Sequence, residues 1–178
     1  MNRRVAHDLA AAVAIVATLT ASLAAAAPQA VVAPPAPAAV ANLARTVAVN
    51  GNPGSTASTT MVMAGFGRTI TPARTGNVWV QFAAYCYNTT AADQVQLQLA
   101  YGTGTAPANG AAATGTTFGP LILSQSTSAN ASQNCSLGYE LTGLTVGVAY
   151  WIDPQFKAGI GGTANIPASA LTLQEVPQ

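Results

Sequence analysis

Apolar side chains recur in this chain with a period of two, and outside the first 27 residues no segment keeps a 3.6-residue apolar period over three turns. That pattern restricts the chain to strands. Val78, Val80, Phe82, Ala84 and Cys86 alternate with Trp79, Gln81, Ala83, Tyr85 and Tyr87, which predicts a strand of about ten residues with apolar groups on both faces. Such a strand calls for cover on both sides. Residues 93–101 alternate more cleanly, with Val95, Leu97, Leu99 and Tyr101 on one face and Gln96 and Gln98 on the other, as in a strand with one wet face. Residues 88–93 between the two read as a hairpin loop. Further strands are expected at 46–50, 58–66, 119–126, 136–141, 148–156 and 170–176, separated by Gly, Pro and Asn clusters. Eight strands in roughly 130 residues make the class all-β, with a two-sheet sandwich as the architecture. Residues 102–119 (GTGTAPANGAAATGTTFG) form a long loop of small residues. Loops of this length are often functional or mobile, yet a passive connection is equally tolerated because loop entropy grows slowly with length.

The first 26 residues are of a different kind. Arg3, Arg4 and Asp8 precede an apolar run over 9–27 with small residues at Ser22, Ala24 and Ala26 and then Pro28, the pattern of a secretory signal peptide. Cleavage is expected after Ala24 or Ala26. The alternative is an uncleaved membrane anchor, because the run approaches the roughly 20 residues that span a bilayer. Thr18, Thr20 and Ser22 make it weakly hydrophobic for that purpose. Residues 27–45 are Ala, Val and Pro (Pro28, Pro34, Pro35, Pro37), an extended linker or a tail left by cleavage, and 46–178 form the sandwich domain. Export makes the two cysteines interpretable: Cys86 and Cys135 are the natural disulfide of an oxidising compartment, against the alternative of two separate buried thiols. The expected location is secreted, at the cell surface or periplasmic, or else in a virion.

Chemistry is scarce beyond the leader. There is no histidine, and the charged groups are Arg45, Arg68, Arg74 and Lys157 against Asp93, Glu140, Asp153 and Glu175. Acid–base and nucleophilic mechanisms need a histidine, or a carboxylate or lysine of shifted pKa, beside a nucleophile. Glu140 with Asp153 as a glycosidase pair, or Asp153 with Asp93 in a calcium site, is weaker than ordinary solvation or ion pairing for these groups. Gly65, Gly67, Gly102 and Gly104 match no phosphate-loop pattern and lead into no helix, so they read as turn residues. No cofactor, metal or nucleic-acid partner is expected. A membrane partner is expected only if the N-terminal segment stays uncleaved. The pattern for N-glycosylation occurs at Asn88, Asn130 and Asn134, read here as solvated loops. Trp79, Tyr85, Tyr87, Tyr150 and Trp151 are candidates for a ligand surface, such as a carbohydrate-stacking or cell-surface contact, or for a subunit contact; aromatic residues in strands also fill cores. The expected function is an exported, non-enzymatic binding or structural module. A phage virion component, such as a fibre tip or capsid decoration, is the alternative, and a hydrolase comes third.

Three passages resemble one family. FGRTITPARTG (66–76) before a long apolar strand, LTVGVAYW (144–151), and the ending LTLQE (171–175) are similar to the corresponding stretches of tumour-necrosis-factor and complement-like jelly-roll domains, with Val78 where those have tyrosine. A run over 101–110 is similar to one in bacterial and phage-encoded exported proteins placed in the same group. The resemblance covers roughly residues 58–176. It implies a ten-strand jelly roll that commonly trimerises through one apolar sheet face. The few charges point the same way, since protection against association of sheet faces normally uses charge. A homotrimer is therefore expected, with a monomer as the next choice.

Overall fold

The computed structural model describes residues 43–50 and 54–177; the leader over 1–26 and the linker as far as residue 42 lie outside the described residues. The strands are β1 (Arg45–Asn50), β2 (Gly54–Thr56), β3 (Val62–Met63), β4 (Arg68–Ile70), β5 (Val78–Asn88) and β6 (Gln94–Thr103), followed by β7 (Thr116–Gln125), β8 (Gln133–Asn134), β9 (Leu137–Leu141), β10 (Tyr150–Ala158) and β11 (Ala164–Glu175). They form two antiparallel sheets. The six-stranded sheet runs β1-β11-β5-β8, with β2 also on β11 and β9 also on β5; the five-stranded sheet runs β3-β10-β6-β7, with β4 also on β10. The described residues are thus all-β, a two-sheet sandwich.

The core lies between the sheets. Val78, Val80, Phe82 and Cys86 from β5 meet Val95, Leu97 and Leu99 from β6 and Ile152 and Phe156 from β10, all fully buried. The alternation within β5 and β6 therefore identifies their inward faces, and Gln96 and Gln98 lie half-buried on the other side. The expected hairpin over 88–93 is not one. β5 and β6 belong to different sheets, so their apolar faces oppose each other across the core instead of pairing edge to edge. The crossover is held by Asn88, whose Nδ2 donates to Asp93 Oδ2 at 3.0 Å, and by Ala92 N–H donating to Ser126 O at 2.8 Å.

Other boundaries differ for local reasons. Only Val62–Met63 of the strand expected over 58–66 is extended and paired, while the short β2, β4 and β8 had no alternation to reveal them. β11 begins six residues before the expected 170, because a register shift between Asn165 and Ala168 lets the ladder continue past Pro167. β7 starts at Thr116, inside the expected loop. The remainder of that loop packs against the outside of the five-stranded sheet. Ala106 and Ala111 lie on Met63, Ala100 and Trp151, and two bonds tie the segment to β3: Met63 N–H to Ala111 O and Gly110 N–H to Met63 O, both 2.9 Å. Gly115 has φ +81° and a Cβ there would fall 2.4 Å from the Trp151 ring, so no other residue fits without displacing the indole.

A disulfide joins Cys86 of β5 to Cys135 between β8 and β9, with Cα atoms 5.8 Å apart and both residues buried. Its sequence separation of 49 closes a long loop in the unfolded chain. Replacing both cysteines by serine should lower the free energy of unfolding by about 3 kcal/mol, measurable by urea denaturation under non-reducing conditions. An unchanged midpoint would show that the bridge constrains nothing.

Candidate interaction surface

The inward alternation of β5 leaves its other face on the outside of the six-stranded sheet. There Trp79 is 41% and Tyr85 62% exposed, on a strand with neighbours on both sides. Strand register sets their surroundings. One row across the sheet reads Arg45, Gln174, Trp79, Glu140, and the next reads Val47, Thr172, Gln81, Gly138. A Cβ on Gly138 would lie 2.9 Å from the Trp79 ring, so the indole lies flat over β9 where glycine leaves room for it. The face is largely uncharged, with Arg45 and Glu140 closing the ends of the first row. In the single chain β5 is covered on its inner side only.

Farther along the face the rows become smaller. Ala170 pairs with Ala83, and Ala168 pairs with Tyr85, just past the shift in β11. Tyr85 has Asn134 of β8 on its other side. Together they enclose a shallow hollow of about 290 Å³, walled by the exposed Tyr85 ring and floored by alanine. Its polar rim is fixed. Asn134 Oδ1 accepts the Ser136 N–H at 2.7 Å, and Ser136 Oγ accepts the Ala84 N–H at 3.0 Å where the pairing of β5 passes from β9 to β8.

Of the five aromatic residues singled out in the sequence, the structure places Trp79, Tyr85 and the half-buried Tyr87 on this strand face. It does not bring Tyr150 and Trp151 there, because both belong to the opposite sheet. Trp151 is no surface residue: it is 3% exposed beneath the 104–115 segment, and its indole N–H donates to Thr103 O at 3.1 Å. Tyr150 joins a series of rings running through Tyr101 and Phe118 to Tyr139, with centroids 6.1, 5.7 and 6.3 Å apart. Hydrogen bonding to the Thr145 side chain first, and then to the Thr145 N–H, which its hydroxyl accepts at 3.2 Å, holds its pKa below the usual phenol value. Val47 was not singled out in the sequence. Asn134 and Ser136 were marked only by the Asn-Cys-Ser triplet at 134–136, read as a solvated loop and not as part of a ligand surface. The membership of all three follows from pairing between distant strands.

Three of the four carboxylates after the leader hold connections. Asp93 accepts N–H bonds from Gln94, Ile160 and Gly161 at 2.7, 2.8 and 3.0 Å; burial pushes its pKa up, but these donors outweigh it and hold the carboxyl below its ordinary value. Glu175 accepts from Ala44, Ala73, Arg74 and Thr75, which overcome the effect of burial and lower it to about 2. Asp153 accepts from Gly65 at 2.9 Å and Phe66 at 2.8 Å, yet burial dominates and raises it to about 7. Asp153 and Glu140 are not paired: one is buried on β10, the other exposed on β9 of the opposite sheet. Among the described residues no three His, Cys, Asp or Glu side chains are grouped as metal ligands. Asn88 is fully buried with its amide engaged, so that triplet is not a solvated loop, while Asn130 and Asn134 are exposed. No protein-family model matches the sequence, and no curated protein matches it.

Proposed function

We propose that this chain is an exported, non-enzymatic binding or structural module, a jelly-roll sandwich that associates with copies of itself through the Trp79 end of the six-stranded sheet. The observation that carries this reading is the exposed row of Trp79 and Gln174 beside Val47, Thr172 and Gln81, a face whose charges lie only at its ends. An uncharged sheet face with a large aromatic residue is a surface that folded chains normally cover. The disulfide is in keeping with an oxidising compartment.

The jelly roll is supported by the order of strands. From β5 onward the chain passes from the six-stranded sheet to the five-stranded one for β6 and β7, returns for β8 and β9, crosses again for β10 and ends on β11 in the first sheet, giving β1-β11-β5-β9 opposite β4-β10-β6-β7. The trimer rests on the resemblance to domains that trimerise through a sheet face, and on a second surface that could receive this one. Leu121 and Leu123 are exposed on β7, at the edge of the other sheet. A contact between two different surfaces of one chain generates a ring when the rotation closes, and three copies are the smallest such ring beyond a dimer. Stable association of this kind buries on the order of 1,000 Å² or more per contact.

Light scattering on the full chain at micromolar concentration should give the mass of three chains. Trp79→Glu, which puts a second carboxylate beside Glu140, should give the mass of one. A single-chain mass for the unaltered protein would overturn the self-association.

A further inference from the structure

The hollow at Tyr85 has a different composition from the Trp79 end of the same face. Its walls offer one aromatic ring, the amide of Asn134 and the hydroxyl of Ser136, with alanines at 83, 168 and 170 and no carboxylate, amine or guanidinium among the lining residues. A charged ligand would find no partner there. We propose that the hollow is a binding site for a neutral saccharide ring, stacked by its C–H face on Tyr85 and hydrogen-bonded by its hydroxyls to Asn134. This rests on reading the outer face of the six-stranded sheet as an interaction surface.

The reasons are geometric and chemical. The volume of about 290 Å³ suits a single six-membered ring and lies at the small end of ligand pockets. Tyr85 is 62% exposed, and on either side its paired neighbours are Ala168 and Asn134, too short to cover it, so a ring can approach its face. The Asn134 side chain is held in place by the bond from Ser136 N–H to Oδ1, which leaves its two amide hydrogens as outward donors at a fixed position. Ser136 is held by the Ala84 N–H. A flat apolar platform beside immobilised uncharged donors is complementary to a molecule with one apolar face and a rim of hydroxyls. A prolyl or aliphatic peptide side chain would use the platform and leave the donors unmet.

The test titrates the full chain with neutral trisaccharides of glucose and of N-acetylglucosamine, an anionic uronic-acid trisaccharide, and N-acetylprolinamide. Binding is followed through the NMR signals of the Tyr85 ring and the Asn134 side-chain amide. At least one neutral trisaccharide should shift both signals and saturate at millimolar concentration, the uronic-acid probe should bind more weakly, and Tyr85→Ala should weaken the neutral probe by about tenfold. Ala168→Phe fills the hollow from an exposed position and should have the same effect should Tyr85→Ala disturb the strand. Ile160→Ser, at an exposed position between β10 and β11 outside the hollow, should leave the titration unchanged. No shift with any neutral saccharide would overturn the proposal, as would equal or tighter binding of N-acetylprolinamide. The mass measurement separates the two readings: a single-chain mass with saccharide binding removes self-association alone, and a trimer without saccharide binding removes the hollow alone.

Discussion

Glu175→Ala should lower the free energy of unfolding by roughly 5 kcal/mol, since each hydrogen bond to a charged acceptor is worth about 1.5 to 3 kcal/mol and several are lost together. The carboxylate, fully buried near the end of β11, accepts backbone N–H bonds from Ala44, just before β1, and from Ala73, Arg74 and Thr75, between β4 and β5. One side chain thus fixes two connections to the last strand. With the carboxylate gone those donors lose their acceptor, and burial denies some of them water. The pH dependence follows from the same bonds. A folded-state pKa of about 2, below the ordinary 4.5, means that this stabilisation is complete above about pH 4.5 and is lost as pH falls toward 2. Urea midpoints of the two proteins should therefore converge in acid. A loss below about 1 kcal/mol at neutral pH would show that the donors find water instead.

The second large effect has the opposite sign. Asp153 is fully buried on β10, and although the N–H groups of Gly65, Phe66 and Gly67 and the charge of Arg68 favour its ionised form, burial raises its pKa from 3.8 to about 7. The folded chain therefore holds this proton more tightly than the unfolded chain does. The stability it contributes is complete below about pH 4 and is lost as pH rises through 7, a change on the order of 4 kcal/mol. Stability should peak between the two effects, near pH 4 to 5. Asp153→Asn carries no titrating proton and should flatten the decline between pH 5 and 8, whatever its own cost. Equal slopes for the two proteins would contradict this.

How much of this was legible in the sequence depended on whether a signal was local. The inward faces of β5 and β6 could be read because period-two alternation reports burial directly, and the cysteine pair could be read because only one pairing exists. The same alternation could not say whether β5 and β6 pair or stack, so residues 88–93 read as a hairpin when they are a crossover. Trp151 was misjudged because its cover comes from Ala106 and Ala111, small residues some 40 positions away that carry no pattern of their own. The hollow was invisible for a related reason. It exists where Ala168, Tyr85 and Asn134 come into register beside an irregularity in β11, ahead of the strand start expected at 170. The roles of Asp93, Asp153 and Glu175 were equally hidden, since their partners are backbone groups that any residue supplies.

The segment seated over Trp151 gives the protein an internal optical contrast. The chain has two tryptophans, one sealed beneath alanines on the five-stranded sheet and one lying open on the six-stranded sheet. In the single chain their emission should differ, blue-shifted and poorly quenched by acrylamide for Trp151, red-shifted and readily quenched for Trp79. Each sheet thus carries its own chromophore. Lifting of the 104–115 segment would red-shift the first alone, and covering of the opposite face would blue-shift the second alone, so one spectrum distinguishes local opening from assembly.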